Sequence, residues 1–283
     1  RARAHIDAET SYPCRVHHSS VTTKRCFDED LFFALWDRLL DAGKLGLGGP
    51  ISQVFKKQLA HKDILLHLFD AKANAIPQKL GWDGAVPLVK QDYLMLVDSS
   101  LPGHAKKEVK RYWEYRVSLG IDEPSKANLN IYYDNENIPG SGVCRQASSQ
   151  RHGCYFNYLR VFLSPFAEDL TVPSVPLHKG TEKLAWGYTD VDSLVILDSP
   201  GNHKEVGGFI TIEPQSVLTF PISYSLAPGT LRLVEDGLYR YRLFLQKQPG
   251  IEAEPVTIAV QIPAGFNLEE AIPSPLRRAE RWL

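Results

Sequence analysis

From about Glu108 to Ile262 the apolar residues of this chain fall mostly on every second position. A period of two is the spacing of a strand with one face buried and one face wet. Trp113, Tyr115, Val117 and Leu119 set the pattern, with Glu114, Arg116 and Ser118 between them. Leu129, Ile131 and Tyr133 repeat it, as do Leu159, Val161 and Leu163, and then Leu218, Phe220, Ile222, Tyr224 and Leu226. Tyr239, Tyr241, Leu243 and Leu245 form a further run, followed by Val256, Ile258, Val260 and Ile262. Pro, Gly, Asn and Asp separate the runs, and no helix-period stretch lies among them. Strands of this kind bury their apolar faces against a second sheet, so the expectation for residues 105–265 is an antiparallel β-sandwich, immunoglobulin-like or related.

Residues 1–104 have a different texture. Phe27, Leu31, Ala34, Leu35 and Leu39 recur at helical spacing behind Asp28, Glu29 and Asp30, acidic residues that suit a helix N-terminus. A helix over Phe27–Asp41 is expected, ended by the glycine-rich Gly43–Pro50, with a second helix over Ile51–Leu59 and a third over Ala71–Leu80. Ile64–Phe69 and Tyr93–Val97 read as buried strands. The region is thus α/β, and residues 266–283, with Pro273, Pro275, Arg277, Arg278 and Arg281, are a tail. The fold class of the whole is α+β.

A chain of 283 residues is long enough for one large or two modest domains. Its net charge of −1 supplies no field that favours nucleic acid. No apolar run approaches the roughly 20 residues that cross a bilayer, so the expected membrane link is an anchor upstream of Arg1. The chain opens Arg1-Ala2-Arg3-Ala4-His5, with no initiator Met, as a processed chain would. Its four cysteines fall in two close pairs, Cys14 with Cys26 and Cys144 with Cys154. Local disulfides are the simplest of three connectivities and imply an oxidising, extracytoplasmic compartment. Free buried thiols are one alternative. A zinc site using His17, His18 or His152 is another, although neither cluster has the tight repeated spacing of structural zinc. The expected metal and cofactor complement is none.

Lys106, Lys107, Lys110 and Arg111 gather beside Tyr112 and Trp113, a combination suited to an acidic glycan or phosphate polymer; the plainer reading is a basic turn that protects a strand edge. Tyr132, Tyr158 and the Tyr155-Phe156 pair offer aromatic surface for sugar rings or for a core. Asp134-Asn135-Glu136-Asn137 is rich in oxygen but lacks the ligand alternation of a calcium loop, and reads as a solvated turn. Trp82, between Gly81 and Gly84, reads as the packed anchor of a corner. No Gly-x-Ser-x-Gly elbow, phosphate-cradling loop or His-Glu-x-x-His helix occurs, so no catalytic residue is assigned and no enzyme is expected.

His61-Lys62-Asp63-Ile64-Leu65-Leu66-His67-Leu68-Phe69-Asp70, Leu80-Gly81-Trp82-Asp83-Gly84 and the block from Asp92 to Leu101 follow one another in an order that resembles an uncharacterised bacterial family, domain of unknown function 4012. Tyr112–Val117, Asn157-Tyr158-Leu159-Arg160-Val161 and Gln246-Lys247-Gln248-Pro249-Gly250 extend the resemblance, which covers roughly Phe27 to Pro263. The resemblance implies the C-terminal portion of a long surface protein with a membrane helix, a helical stalk, an α/β middle and a β-rich end, residues 1–104 being the closing part of that larger α/β domain upstream. The middle of such proteins is similar to phosphotransferases that attach polymers to cell walls; its Asn-rich strand and paired glycines are not found here. The functional expectation is an extracellular scaffold module of a bacterial envelope protein, binding envelope polysaccharide or copies of itself. The alternative is an accessory part of a wall-polymer transferase.

Overall fold

The computed structural model describes residues 34, 50–87, 89–100, 108–140, 144, 153–174, 194–198, 203–235, 237–251 and 254–277. The helix expected over Phe27–Asp41 lies outside them, Ala34 excepted. Two units are distinguished, one ending at Gly84 and one beginning at Ala85.

In the first unit, α1 (Pro50–Ala60) and α2 (Ala71–Leu80) are the second and third helices expected. Asp70 caps α2, its Oδ1 accepting from Ala73 N at 2.8 Å. Gly81 ends the helix at φ 67° in the left-handed region, where a Cβ is unfavourable. Trp82 N then donates back to Pro77 O at 2.8 Å, so Trp82 does stand at a helix-ending corner. Ile64–Phe69, expected as a buried strand, is not one: it links the helices, with Ile64, Leu65 and Phe69 exposed. Part of its backbone bonds outside any ladder, Leu66 N donating to Trp82 O and Leu68 N to Asn74 Oδ1. An apolar run becomes a strand only where a neighbouring strand accepts its hydrogen bonds.

The second unit is mostly β, two packed five-stranded sheets and a two-stranded ribbon. The strands are β1 (Asp92–Ser100), β2 (Val109–Ser118), β3 (Ser125–Asn135), β4 (Tyr155–Leu163), β5 (Ala167–Thr171), β6 (Val195–Asp198), β7 (Lys204–Ile212), β8 (Ser216–Leu226), β9 (Arg232–Glu235), β10 (Leu238–Arg240), β11 (Leu243–Gln246) and β12 (Val256–Gln261). One sheet runs β11-β1-β4-β7-β6 and the other β12-β2-β3-β8-β5, while β9 and β10 pair separately. The alternating residues face inward as their spacing requires: Tyr115, Val117, Leu129, Ile131, Tyr133, Leu159, Val161, Leu163, Phe220, Ile222 and Leu226 are all buried in one core.

Three features differ from expectation. The sandwich is not wholly antiparallel, because β11 runs parallel to β1 and β12 parallel to β2. The chain leaves β11 in one sheet and enters β12 in the other, a connection that a tight hairpin would not allow. Tyr93–Val97, assigned to the first region by sequence, lies in β1, which is hydrogen-bonded to β4 on one side and β11 on the other. The sandwich therefore begins before residue 105, and the division falls between Gly84 and Ala85. The run Tyr239–Leu245 is two strands: β10 pairs with β9, β11 with β1, and Tyr241 lies in the break between them.

Both faces of β1 are covered. Leu94 and Leu96 enter the central core, whereas Tyr93 and Met95 pack with Phe162 beneath Val86 and Val89. His203 pins that strap, its Nδ1 lying 3.0 Å from Leu163 O and its Nε2 2.8 Å from Pro87 O.

Candidate functional site

The inner face of β1 reads Asp92, Leu94, Leu96, Asp98, an acid at each end of an apolar pair, and each acid organises a cluster between the sheets. Asp92 is fully buried. Its Oδ1 accepts from Tyr93 N at 2.8 Å, and its Oδ2 accepts from Tyr115 OH at 2.6 Å and Tyr241 OH at 2.5 Å. Tyr224 OH donates to Tyr115 OH at 3.3 Å, which extends the network to β8. Burial pushes the Asp92 carboxyl up from 3.8 to about 6, against the opposing pull of these donors.

At the other end, Asp98 Oδ1 accepts from Tyr133 OH and Asn157 Nδ2, both at 2.6 Å, and lies 2.9 Å from Arg111 Nη1. Arg111 also grips Glu254, Nε to Oε1 at 2.9 Å and Nη2 to Oε2 at 2.6 Å, the forked geometry that guanidinium and carboxylate share. Gln248 closes the group by accepting from Asp98 N and donating to Asp98 O, each at 2.8 Å. Burial, and then the neighbouring Asp98, push the Tyr133 phenol well above its ordinary value. Arg111 Nη1 reaches ion-pair distance of Asp98 without hydrogen-bond alignment, and Asn157 Oδ1 has no hydrogen-bond partner among the described residues.

These contacts join β1, β2, β3, β4 and the crossover between β11 and β12. Apart from Arg111 Nη1 and Asn157 Oδ1, the side-chain donors and acceptors named here bond to one another, an arrangement that fixes strands in register. A period-two reading of β1 would have found both acids, since Asp92 and Asp98 are in phase with Leu94 and Leu96; their partners became visible only in three dimensions.

The set proposed from sequence for a glycan is divided by the strand it lies on. Lys110 and Tyr112 face solvent, whereas Arg111 and Trp113 are buried, because successive residues of β2 point to opposite faces. Lys106 and Lys107 lie outside the described residues. Lys110 pairs with Glu136 at 2.5 Å, and Tyr112 stacks on Tyr132 with ring centroids 4.5 Å apart and planes 9° from parallel. The two rings spend one face each on the other. Tyr155 and Phe156 are buried, and Tyr158 packs edge-on against Phe209.

Asp134–Asn137 is not the solvated turn expected. Asn135 ends β3 fully buried, donating to Gly153 O at 2.9 Å and Ile212 O at 3.0 Å and accepting from Asn137. Gly153 sits at φ +72°, and a Cβ there would lie 2.6 Å from Ile138 O, so this corner requires glycine. Beside it Cys144 and Cys154 form a disulfide, Cα atoms 5.8 Å apart, packed with Phe156. Cys14 and Cys26 lie outside the described residues. Among the described residues no group of His, Cys, Asp and Glu is placed to hold a metal ion, and no helix is long and apolar enough to cross a membrane.

Fold and clusters together define the second unit as a disulfide-bonded β-sandwich whose buried charges tie its sheets together. No protein-family model and no curated protein matches the chain.

Proposed function

We propose that this chain is a structural module of a bacterial cell-surface protein, an immunoglobulin-like or related sandwich of the kind the resemblance to domain of unknown function 4012 implies, working outside the cytoplasm as a scaffold. The observation that carries the reading is the Cys144–Cys154 disulfide buried beside Phe156, a bond that persists in oxidising compartments. The inward direction of the polar groups supports it. Asp92, Asp98, Arg111 and Asn157 are partnered within the sandwich and are not presented to a substrate. Polysaccharide binding through the basic set is the weaker form of the reading, because Arg111 and Trp113 are turned into the core. The transferase-accessory alternative rests on the family resemblance alone.

The test is made in a bacterium producing the protein from its own gene. Protease added to intact cells should remove the chain, and non-reducing peptide mapping should recover the Cys144 and Cys154 peptides linked. A chain protected until lysis, with both thiols free, would overturn the proposal.

A further inference from the structure

Of the four edge strands of the two sheets, three are poor templates for another strand. β5 spans Ala167–Thr171, is broken by a register shift between Glu168 and Thr171 and carries Asp169 at φ 52°; β6 and β11 have only four residues each. Such bulges, charges and short spans are how sheets avoid unwanted pairing. β12 has none of these protections. It is six residues long, Val256-Thr257-Ile258-Ala259-Val260-Gln261, with no charge and no proline.

Its ladder with β2 fixes which backbone groups are free. Trp113 N donates to Pro255 O and Leu119 N to Gln261 O, so the odd-numbered residues of β12 face β2. The N–H and C=O of Val256, Ile258 and Val260 point the other way, and no described residue bonds to them. The same residues leave apolar surface open, Val256 being 39% and Ile258 38% exposed although they lie on the core side of the sheet. On the same side of the sandwich Leu245 of β11 is 38% exposed.

We propose that β12 is the strand by which two copies of this chain pair, antiparallel about a two-fold axis at Ile258, joining two five-stranded sheets into one. The strand is self-complementary. Reversal about Ile258 sets Val256 against Val260 of the partner and Thr257 against Ala259, so β-branched residues meet on one face and small residues on the other. The residues with outward backbone groups are those that would form the hydrogen-bonded pairs of this register. An uncharged edge meets its copy without repulsion, and an isologous pair uses up both edges, so assembly stops at the dimer. The inference names the partner of the scaffold module proposed above and takes its setting, not its geometry, from that reading.

Sedimentation equilibrium across a concentration series tests it on three proteins. The unaltered chain should be a monomer–dimer system. Thr257→Lys with Ala259→Lys places lysine against lysine twice and should weaken the dimer at least about tenfold. Thr257→Lys with Ala259→Glu places lysine against glutamate in the same register and should restore it. Matching circular dichroism spectra of the three, taken at a concentration low enough to keep each monomeric, would show that the monomer fold is unchanged. An unaltered chain that stays monomeric, a lysine pair that still dimerises, a lysine–glutamate pair that does not recover, or open-ended oligomers would each overturn the proposal. None of these outcomes bears on export or on the disulfide, which the cell-surface experiment addresses separately.

Discussion

Asp92 holds an ionisable group fully buried among tyrosines, and the fold sets a cost on its charge. Because its carboxyl is raised from 3.8 to about 6 on folding, its contribution to stability is fully present below about pH 4 and is lost as pH rises through 6. The difference amounts to about 3 kcal/mol. Asp92→Asn cannot ionise, so the decline in unfolding free energy between pH 4 and 7 should flatten in the variant by about that amount, measured by denaturant titration. An unchanged slope would show that Asp92 does not titrate in this range. Arg111 has the opposite character, a cation held by two carboxylates. Arg111→Met leaves Asp98 buried and uncompensated and should cost about 3–5 kcal/mol. Lys110→Ala, which breaks an exposed pair on the next residue, should leave the unfolding midpoint where it was.

At the scale of elements, the Cys144–Cys154 loop and β7 show two ways in which local sequence and tertiary structure relate. The cysteines are ten residues apart, and their local pairing was legible because short separation favours it. Closing a loop of this size restricts the unfolded chain by about 2–3 kcal/mol. Cys144→Ser with Cys154→Ser should lower the stability of the sandwich by about that much and leave its far-ultraviolet spectrum intact. A collapsed spectrum would mean that the bridge is needed to form the corner at Asn135 and Gly153. β7 was not legible. Lys204–Ile212 is buried on both faces and carries Gly207 and Gly208, so it shows no alternation to detect. Ile64–Phe69 failed in reverse, an apolar run that found no neighbouring strand.

At the scale of the molecule, the place of β1 decides where a stable fragment can begin. The strand is bonded to β4 and β11, supplies Leu94 and Leu96 to the core, and carries both acids that tie the sheets. A fragment from Ala85 to Leu283 should unfold in one cooperative transition with a β-rich circular dichroism spectrum. A fragment starting at Lys106 should not, since an inner strand and both polar clusters are lost with the residues removed. Cooperative folding of the shorter fragment would refute the assignment of β1 to the sandwich.

Local sequence set the strands that are wet on one face, because alternation is written locally wherever one side meets the core and the other meets water. It likewise determined α1 and α2, the corner at Gly81 and the Cys144–Cys154 pair, all set by residues close together in the chain. Tertiary structure alone decided the parallel pairing of β11 and β12, the membership of β1 in the sandwich, and the inward turn of Arg111. Each of these depends on partners far away in sequence: Arg111 meets Glu254 across 143 residues, and Asp98 meets Gln248 across 150. A buried charge is stable only where its counter-charge arrives, and no local pattern records that meeting.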